Sequence, residues 1–568
     1  MNRAPAAQDP ESARRRLRAL AARHGSAPGP DREPPLAVPL SGSQRSMWLH
    51  DRLAPESATY VETVAFDLSG PLDSAALRSA LRTVVRDQDA LRTVFVTGES
   101  GPVQVVRTGP DAGPGLTEVT CRAGAHTLDD AIALADADGL FAPFDLGNGP
   151  LARARLYRLS PTRAVFVLAV HHLIWDGAST GILLHALFTA YETALGGTAP
   201  APQPPAVTYP EYVRAERGRW TSTRFRGSVG HWANRLAKAA PPGGTPAPGM
   251  ASRPGAVLER PVPAAVVDTL RSTAPRLGCT PFMLLVAALS AALRPASLPA
   301  DTVLAAPMSV RTPGTERLIG NLVHTLPIPL ELPAGASRRA HVEQVRTACA
   351  EAWEHRAVPL EQVVASVPQH RAAHDRYTRT ILDHVRLPDP LRGRAGLSWT
   401  PHWLPGRTAK CELLIAWIET ADATIMRVEY ASATRSPESA GLLADRVLDT
   451  LQALLDDLDA PLATLPTTEP APAPACPSAH PAPGPSAAVP PPVRAAAHQA
   501  WQEVLGVDDL EDEDDFFALG GRSMDAARIA AKSGAALDLV LRTRTVLEAD
   551  CFGDFVARVG RIYEKNSD

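Results

Sequence analysis

The heptapeptide HHLIWDG at residues 171–177 stands between two segments of different pattern. Residues 164–170 before it (AVFVLAV) are continuously apolar, as expected of a strand that is covered on both faces. Residues 180–192 behind it repeat apolar side chains at helical spacing. The heptapeptide is therefore predicted to join the end of a buried strand to the start of a helix, a position from which catalytic side chains commonly project.

The two histidines of the heptapeptide are predicted to have different roles. Successive side chains of a strand point to opposite faces, so at most one of His171 and His172 can point into a given cleft. A histidine with an ordinary pKa of about 6.5 can take a proton from an attacking amine or hydroxyl at neutral pH, and Asp176 can orient the loop or pair with an arginine. Taken alone, the two histidines and the aspartate are also compatible with metal ligands or with a hydrogen-bonded pair in the core.

The surrounding chain has the pattern of an α/β domain. The spacing of apolar residues predicts strands at 61–68, 413–417 and 426–430, and helices at 73–85 and 341–357. The whole segment, residues 39–463, is long for one set of layers. We therefore expect two lobes, at about residues 39–203 and 204–463.

Composition narrows the classes of function. The chain of 568 residues has 45% hydrophobic residues, 21% charged residues and a formal net charge of -4, so no overall basic surface for nucleic acid is expected. No window approaches about 18 uninterrupted apolar residues, and residues 1–23 are rich in arginine without an apolar segment. We expect neither a membrane span nor secretion, and therefore a cytoplasmic protein. The six cysteines are scattered without a CxxC pair, so neither a zinc site nor a disulfide framework is expected.

Proline-rich stretches mark both ends of the α/β segment. Residues 1–38 carry a short basic helical pattern at 13–20, and we interpret them either as a solvated tail or as a docking helix for a partner protein. Residues 464–492 have almost no large apolar side chains and are predicted to be an extended linker. Residues 493–563 are acidic at the start and helical in pattern, which predicts a separate four-helix unit with its last two helices at 537–541 and 552–563.

HHLIWDG resembles the HHxxxDG signature of the condensation domains of nonribosomal peptide synthetases and of related acyltransferases with the chloramphenicol-acetyltransferase fold. Segments similar to the family's other motifs occur in the family's order: SGSQRSMW at 41–48, DALRTVF at 89–95, YPEY at 209–212, APMSVR at 306–311 with LIGNLVHT at 318–325, and HRAVPLE at 355–361. The resemblance covers about residues 40–462. It implies a two-lobed α/β domain whose site lies in a tunnel between the lobes.

The resemblance also implies roles for the site residues. His172 would be the active-site histidine, and His171 would support it. Asp176 would form a salt bridge with Arg311 that holds the loop. Gly177 would let the chain turn tightly. No metal is implied.

Several departures from the family's motifs concern the tunnel. In the fifth motif His324 stands in place of the usual asparagine and Leu322 in place of phenylalanine. The sixth motif lacks its Gln-Asp pair and its phenylalanine, and Ala178 replaces the aromatic residue that often follows the Asp-Gly pair. These departures leave the identity of the acceptor open, and loss of condensation activity would also be compatible with them.

The second constellation, DFFALGGRSM at residues 515–524, resembles the DxFFxLGGxS motif of peptidyl carrier proteins. The resemblance implies that Ser523 receives a covalent 4′-phosphopantetheine arm at the start of the second helix. A helix N-terminus stabilises the negative charge of the phosphodiester, and serine is a favoured residue there. A glycine-rich loop that merely ends in a helix cap is the alternative.

Three functions follow from these resemblances. The first is a condensation–carrier didomain that forms an amide, less readily an ester, between an acyl or peptidyl thioester on an upstream carrier protein and a substrate tethered on Ser523. Because no adenylation domain is recognised, a stand-alone adenylation enzyme would load Ser523 in trans after a phosphopantetheinyl transferase has modified it. The second is an acyltransferase with a soluble amine or alcohol acceptor. The third is a catalytically degenerate condensation domain that recruits partner enzymes to the carrier.

Overall fold

The computed structural model describes residues 37–98, 101–109, 111–121, 127–196, 203–237, 254–294, 300–333, 335–367, 377–393, 396–406, 408–466, 489–507, 509–514, 516, 519, 523–539, 541, 544–547, 549 and 551–567. The basic helix predicted at 13–20 and the greater part of the predicted linker, 467–488, lie outside these residues.

The strands are β1 (Ala37–Pro39), β2 (Val61–Ser69), β3 (Thr93–Gly98), β4 (Gly101–Val106), β5 (Leu116–Thr120), β6 (Ala152–Ser160), β7 (Arg163–His171), β8 (Gly255–Pro261), β9 (Ala300–Ser309), β10 (Val323–Leu332), β11 (Thr380–Arg386), β12 (Leu391–Arg392), β13 (Ser398–Trp403), β14 (Leu413–Glu419) and β15 (Thr424–Ala431). The α-helices are α1 (Gly42–Leu53), α2 (Ser74–Asp87), α3 (Leu128–Ala137), α4 (Gly177–Ala194), α5 (Tyr209–Arg219), α6 (Thr223–Ala237), α7 (Ala264–Arg276), α8 (Pro281–Ala292), α9 (Arg338–Glu354), α10 (Leu360–Ala365), α11 (Pro437–Asp456), α12 (Pro491–Leu505), α13 (Ser523–Leu537), α14 (Arg544–Leu547) and α15 (Phe552–Ser567).

Three β-sheets organise the larger part of the chain. The first six-stranded sheet has the order β12-β13-β2-β7-β6-β5, the second has the order β10-β9-β11-β14-β15-β8, and a three-stranded sheet has the order β1-β4-β3. Most pairs are antiparallel, whereas β6 pairs with β5, and β11 with both β14 and β9, in parallel. This mixture of sheets and helices confirms the predicted α/β class.

The strand that leads into HHLIWDG is as buried as its composition predicts. β7 is buried from Ala164 to His171, and it is paired with β2 on one side and with β6 on the other. Side chains of α2, α3 and α4 share one apolar core with this sheet. The other predicted strands correspond to β2, β14 and β15, and the predicted helices correspond to α2, α4 and α9, with ends that differ by a few residues.

The two lobes exchange segments, so the boundary predicted near residue 203 does not divide them cleanly. β12 and β13 come from the second half of the chain but belong to the first sheet, where β13 pairs with β2 along its whole length. Tyr209, Tyr212 and Leu318 also pack into the core of the first lobe. A strand that covers the edge of a sheet satisfies the backbone N–H and C=O groups of that edge. Such a pairing depends on tertiary contacts, which local periodicity does not carry.

Both ends of this α/β part differ slightly from the prediction. Ala37–Pro39 forms β1 and pairs with β4, so ordered pairing begins inside the segment interpreted as a tail. At the other end Leu465 is buried, and Arg294 donates hydrogen bonds to the carbonyl oxygens of Leu462 and Ala463. The first residues of the predicted linker therefore belong to the second lobe.

The C-terminal unit is helical, as predicted, but one helix lies elsewhere. The helices α12, α13, α14 and α15 surround an apolar core that includes Trp501 and Phe552. The prediction of a third helix at 537–541 is wrong, because α13 continues to Leu537 and the third helix is Arg544–Leu547. Asp538 adopts a left-handed conformation with a φ of 54°, which ends α13.

Among the residues that the structure describes, no single helix has the length and apolar composition of a membrane span. One bent pair, Ala264–Arg276 with Pro281–Ala292, meets these criteria only when its two helices are taken together, and the bend between them is 108°. The described part of the chain also contains no group of three or more His, Cys, Asp or Glu side chains that could hold a metal ion.

Candidate active site

HHLIWDG forms a short connection between β7 and α4. β7 ends at His171, His172–Ile174 form a 3-10 turn, and Asp176 is the N-cap of α4. The Asp176 carboxylate accepts a hydrogen bond from Ser179 N, and Asp176 N donates to Ser179 Oγ. This reciprocal cap satisfies two N–H groups that the helix itself leaves without partners, so the Asp-x-x-Ser spacing sets where α4 begins.

His171 is buried, with only 2% of its surface exposed. Its Nδ1 accepts a hydrogen bond from Leu173 N at 3.0 Å, so the proton of the ring lies on Nε2. Nε2 donates that proton to Asp51 Oδ2 at 2.9 Å, and the ring contacts the rings of Phe144 and Tyr60. Since both nitrogens are engaged within the protein, these contacts fit a supporting role.

His172 differs from His171 in its hydrogen bonding, because Nδ1 is bonded to the backbone and Nε2 is not hydrogen-bonded to Glu62. Nδ1 lies 2.6 Å from the carbonyl oxygen of Trp175, which can only accept, so Nδ1 carries the proton. Nε2 therefore has a free lone pair in the neutral ring. It lies 3.9 Å from Glu62 Oε1, and the His172 side chain is 21% exposed. A neutral imidazole with an accessible Nε2 can act as a proton acceptor.

Glu62 and Lys410 form a buried ion pair beside His172. Glu62 lies on β2 of the first sheet, and Lys410 lies in the segment between β13 and β14. Lys410 Nζ donates to Glu62 Oε1. Two further carboxyl groups, those of Asp383 and Glu429 in the second sheet, are close enough to interact with the Lys410 charge. The site is therefore assembled from strands of both lobes.

The buried charges determine which groups are ionised. Burial lowers the pKa of His172, while Glu62 opposes that shift and Lys410 adds to it. Burial acts to raise the pKa of Glu62, but Lys410 and His172 outweigh it and lower this pKa to about 2. For Lys410 burial acts in the opposite direction to Glu62 and Glu429, which prevail and raise its pKa. Burial raises the pKa of Asp383 and of Glu429. At neutral pH His172 is thus neutral, whereas Glu62 and Lys410 are charged.

The structure brings Asp176 and Arg311 together. Arg311 Nη2 lies 2.8 Å from Asp176 Oδ1 and 2.9 Å from Oδ2, and the Asp176 side chain is fully buried. Asp176 also accepts from Ser179 Oγ and from Leu322 N. Arg311 Nη1 donates to the carbonyl oxygen of Leu318 at 2.7 Å. This set of contacts ties the start of α4 to the segment that precedes β10.

The structure does not support the predicted role of Gly177, which was to permit a tight turn. It is the first residue of α4, and its φ does not lie in the left-handed range. A Cβ atom built on Gly177 would meet no described atom within 4 Å. The backbone therefore does not require glycine here, and what Gly177 provides is open space next to the His172 turn.

Two protein families match this chain. Residues 37–473 match the condensation domain, and residues 496–559 match the phosphopantetheine attachment site. The chain belongs to the condensation-domain family. Its C-terminal unit is a carrier domain, a kind of domain that holds 4′-phosphopantetheine covalently on a serine.

The relatives of this condensation domain are peptide synthetases. Phosphinothricin tripeptide synthetase PhsC of Streptomyces viridochromogenes is 30% identical over 470 residues, which are 79% of this chain and 42% of PhsC. Malpinin synthetase of Mortierella alpina is 28% identical over 432 residues, which are 75% of this chain and 6% of that synthetase. The chain spans less than half the length of these relatives.

Solved structures share the fold of the condensation domain. A mutant of the starter condensation domain of rhizomide synthetase RzmA, in complex with C8-CoA, has a TM-score of 0.66 and 21% identity, and the likeness covers 76% of this chain and 97% of that one. The first condensation domain of the calcium-dependent antibiotic synthetase, in complex with a substrate analogue, has a TM-score of 0.65 and 21% identity, covering 76% of this chain and 99% of that one. These likenesses confirm the predicted two-lobed, chloramphenicol-acetyltransferase-like fold.

Two side-chain amides hold the HHLIWDG turn of the condensation domain. Asn321 Nδ2 donates to the carbonyl oxygen of His172 at 2.8 Å, and Gln44 Nε2 donates to that of Leu173 at 2.9 Å. Gln44 belongs to the first motif and Asn321 to the fifth. Since both amide groups grip backbone carbonyls, they fix the turn without engaging either nitrogen of the His172 ring.

His324, the residue that replaces the family's asparagine, is buried and paired. Its Nδ1 donates to the carbonyl oxygen of Arg356 at 2.8 Å, and its Nε2 lies 3.6 Å from Glu216 Oε1. Glu216 Oε2 accepts from Gly42 N at 3.0 Å. His324, the replacement in the fifth motif, therefore lies next to the buried carboxylate of Glu216. Glu216 is on α5, the helix that also contains the fourth motif.

Ser523 is the first residue of α13 in the carrier domain. A serine as the first residue of a helix of 15 residues suits attachment of a phosphodiester, because the N-terminal N–H groups and the helix dipole favour negative charge. The described position of Ser523 therefore fits attachment of the phosphopantetheine arm.

Sequence reasoning missed Glu62 and Lys410. A signal for Glu62 was present, since it is a charged residue in the otherwise apolar strand VETVAFDL. Nothing local indicated Lys410, because its segment meets β2 only when the chain crosses between the lobes. A separate cavity of about 720 Å³ lies between the sheets; Val61 and Trp403 line it, but Glu62 and His172 do not.

Proposed function

We propose that this condensation–carrier didomain forms an amide bond, less readily an ester, between an acyl or peptidyl thioester on an upstream carrier protein and a substrate tethered to Ser523. The observation that carries the proposal is the tautomer of His172. Because Trp175 O engages the Nδ1 proton, the lone pair of Nε2 is available where the two lobes meet. This lone pair is what an attacking amine needs as a proton acceptor.

In the reaction His172 first accepts a proton and then donates it. The acceptor nitrogen attacks the carbonyl carbon of the donor thioester, the C–N bond forms, and one N–H proton passes to His172 Nε2. The C–S bond then breaks, and the departing sulfur takes the proton from Nε2. The products are an amide on the acceptor and a free thiol on the donor carrier, so His172 returns to its neutral state.

The supporting residues position His172 and do not exchange protons with the substrate. Asn321 and Gln44 hold the carbonyls of the turn, and Asp176 with Arg311 anchors the start of α4. A fixed ring orientation matters because proton transfer requires the acceptor within hydrogen-bond reach. His171, bonded to Asp51, adds rigidity to the same turn.

Ser523 holds the phosphopantetheine arm, which supplies the thioester that presents the acceptor. We propose that a phosphopantetheinyl transferase modifies Ser523 and that a stand-alone adenylation enzyme then loads it. We place these reactions in the cytoplasm. No disulfide joins the five described cysteines, as is usual in a reducing compartment.

The test is transfer between two loaded carriers, followed by intact-protein mass spectrometry. The full chain, modified on Ser523 and loaded with a panel of aminoacyl groups, is mixed with donor carriers bearing a panel of acyl and aminoacyl groups. We expect the wild type to acylate its own arm and His172→Ala to lose at least about 10²-fold in rate. His185→Ala, a change at an exposed histidine of α4, is the control and should transfer normally.

Each other outcome has a definite meaning. Undiminished transfer by His172→Ala would contradict the assignment of the catalytic residue. If free amines in solution were acylated in preference to the tethered acceptor, the acyltransferase function would replace the didomain function. Product formation that survives His172→Ala but needs the domain itself would identify a recruiting module.

A further inference from the structure

We infer that Glu62, paired with Lys410, makes the site selective for an amine acceptor, because its carboxylate and His172 Nε2 together accept the two hydrogens of one acceptor nitrogen. This inference rests on the proposed function and names the acceptor class that the function leaves open. It assigns a catalytic position to Glu62 and a positioning role to Lys410.

The geometry begins with two hydrogen-bond acceptors that lie close together. Nε2 of neutral His172 and Oε1 of Glu62 are 3.9 Å apart, which is too far for a hydrogen bond between them. One nitrogen atom can, however, lie about 2.9 Å from both at once. Two acceptors at this separation therefore define a position for a group with two hydrogens.

A primary amine satisfies this position and a hydroxyl does not. An R–NH2 group can donate one hydrogen to Nε2 and one to Oε1, and its lone pair then points away from both, free to attack. A hydroxyl has a single hydrogen, so it leaves either the imidazole or the carboxylate without a donor. A polar group left unpaired in a largely buried site is unfavourable, which is how such sites reject an analogue that lacks one N–H.

Lys410 keeps the carboxylate in place without making the site favour a protonated amine. The pair lies between lobes, with Glu62 on β2 and Lys410 on the segment that enters β14. Because its charge opposes that of Glu62, the site stabilises an ammonium, which lacks the lone pair needed for attack, less than an unpaired carboxylate would. Asp383 and Glu429 also face Lys410, and burial favours their neutral forms.

Glu62 remains ionised through the reaction. When the nitrogen attacks, one hydrogen moves to His172 Nε2 and the other stays on nitrogen, bonded to Oε1. After the C–S bond breaks, the sulfur takes the proton from His172. The secondary amide keeps its N–H, which Oε1 can still accept, so the carboxylate contributes orientation and an electrostatic partner for the transient His172 imidazolium.

The experiment compares two acceptors that differ only in the attacking group. Ser523 of the full chain is loaded with an alanyl arm or with a lactyl arm, and the donor carrier that gives the fastest wild-type transfer in the panel above is used with both. We expect wild type to prefer the amine by at least about 10²-fold. We expect Glu62→Gln to slow transfer to the amine and to reduce this preference to less than about tenfold, since a glutamine can donate to a hydroxyl.

Glu419→Gln is the matched control. Glu419 is likewise a buried carboxylate on a strand, paired with a cation, Arg271, and with a histidine, His384, at 2.8 and 3.0 Å. It lies outside the described contacts of His172, so the amine preference should persist. Equal loss in both variants, or an unchanged preference in Glu62→Gln, would overturn the inference. Absence of transfer by the wild type with every donor would instead refute the proposed function on which the inference rests.

A second variant and a second measurement distinguish loss of the proposed contact from misfolding of Glu62→Gln. Glu62→Gln combined with Lys410→Met removes both charges, so no unpaired ion remains buried, and the preference for the amine should still be lost.

The pH profile of the transfer rate is the second measurement. Glu62 raises the pKa of His172 against the effect of burial, so Glu62→Gln should lower that pKa further and move the acid limb of the rate to lower pH. Glu419→Gln should not move it. An acid limb that stays in place in Glu62→Gln would contradict the proximity of the two groups in solution.

Discussion

Arg311 Nη2 lies within 2.9 Å of both carboxylate oxygens of Asp176, and the Asp176 side chain is completely buried. The two residues come from different halves of the chain, 135 positions apart. The pair joins the N-cap of α4 to the segment before β10. It is therefore a link between lobes that also holds the turn carrying His172.

Arg311→Met should destabilise the condensation domain strongly. It leaves the Asp176 carboxylate without its cation, and breaking a buried pair on one side lowers the free energy of unfolding by about 3–5 kcal/mol. Denaturation in urea, followed by tryptophan fluorescence, measures the change. Arg163→Met is the control, because the Arg163–Asp67 pair at 2.9 Å is partly exposed and should be worth less than about 1 kcal/mol. Equal effects of the two changes would contradict the linking role of Arg311.

His324→Asn, which restores the family's residue, should be unfavourable in this chain. His324 Nε2 lies 3.6 Å from Glu216 Oε1, and neither atom has a hydrogen-bond partner among the described residues. Removing the imidazole takes away the electrostatic partner of this buried carboxylate oxygen, which lowers the free energy of unfolding by about 1–3 kcal/mol.

Glu216→Gln completes a double-mutant cycle for this pair. If His324 and Glu216 interact, the loss from the double variant should be smaller than the sum of the two single losses by at least about 0.5 kcal/mol. Strict additivity in the urea midpoints and slopes would show that the replacement in the fifth motif and the buried glutamate are unrelated.

His341 should make the condensation domain less stable in acid. Its Nε2 donates to Ala287 O at 3.2 Å and lies 3.0 Å from Ser290 Oγ, and burial, with the nearby Arg294 charge, lowers the pKa of His341 to about 4. The unfolded chain binds a proton at this residue below about pH 6.5, whereas the folded domain does so only below about 4. Stability is therefore complete above the unfolded pKa and falls as the pH drops through this window.

The size of this loss is on the order of 3 kcal/mol. Unfolding free energies of wild type and His341→Gln, measured from pH 7 to pH 4, give the test. The variant should lose less stability across the window than the wild type, whereas His185→Gln, at an exposed position of α4, should follow the wild-type curve. Parallel curves for wild type and His341→Gln would contradict the prediction.

Local patterns predicted much of the fold because they report which faces of a segment are buried. The continuous apolar run at 164–170 and the alternation at 61–68 correspond to β7 and β2, and α2, α4 and α9 lie where helical spacing predicted helices. The third carrier helix was misplaced, since residues 537–541 are apolar but contain Asp538, whose left-handed conformation ends α13. A short apolar run does not distinguish the end of one helix from the start of the next.

The order of the motifs determined, from the sequence alone, the family, the fold class, the carrier domain and the candidate residues His172, Asp176, Arg311 and Ser523. Only the tertiary structure decided what surrounds His172. Glu62 lies in a strand whose sequence pattern is that of an ordinary core strand. Lys410 contacts it because β13 crosses into the first sheet. An ion pair between residues 348 positions apart depends on how the two lobes exchange segments. A sequence motif records which side chains are present, whereas their separation and burial, and hence their charge states, arise only when the lobes pack together.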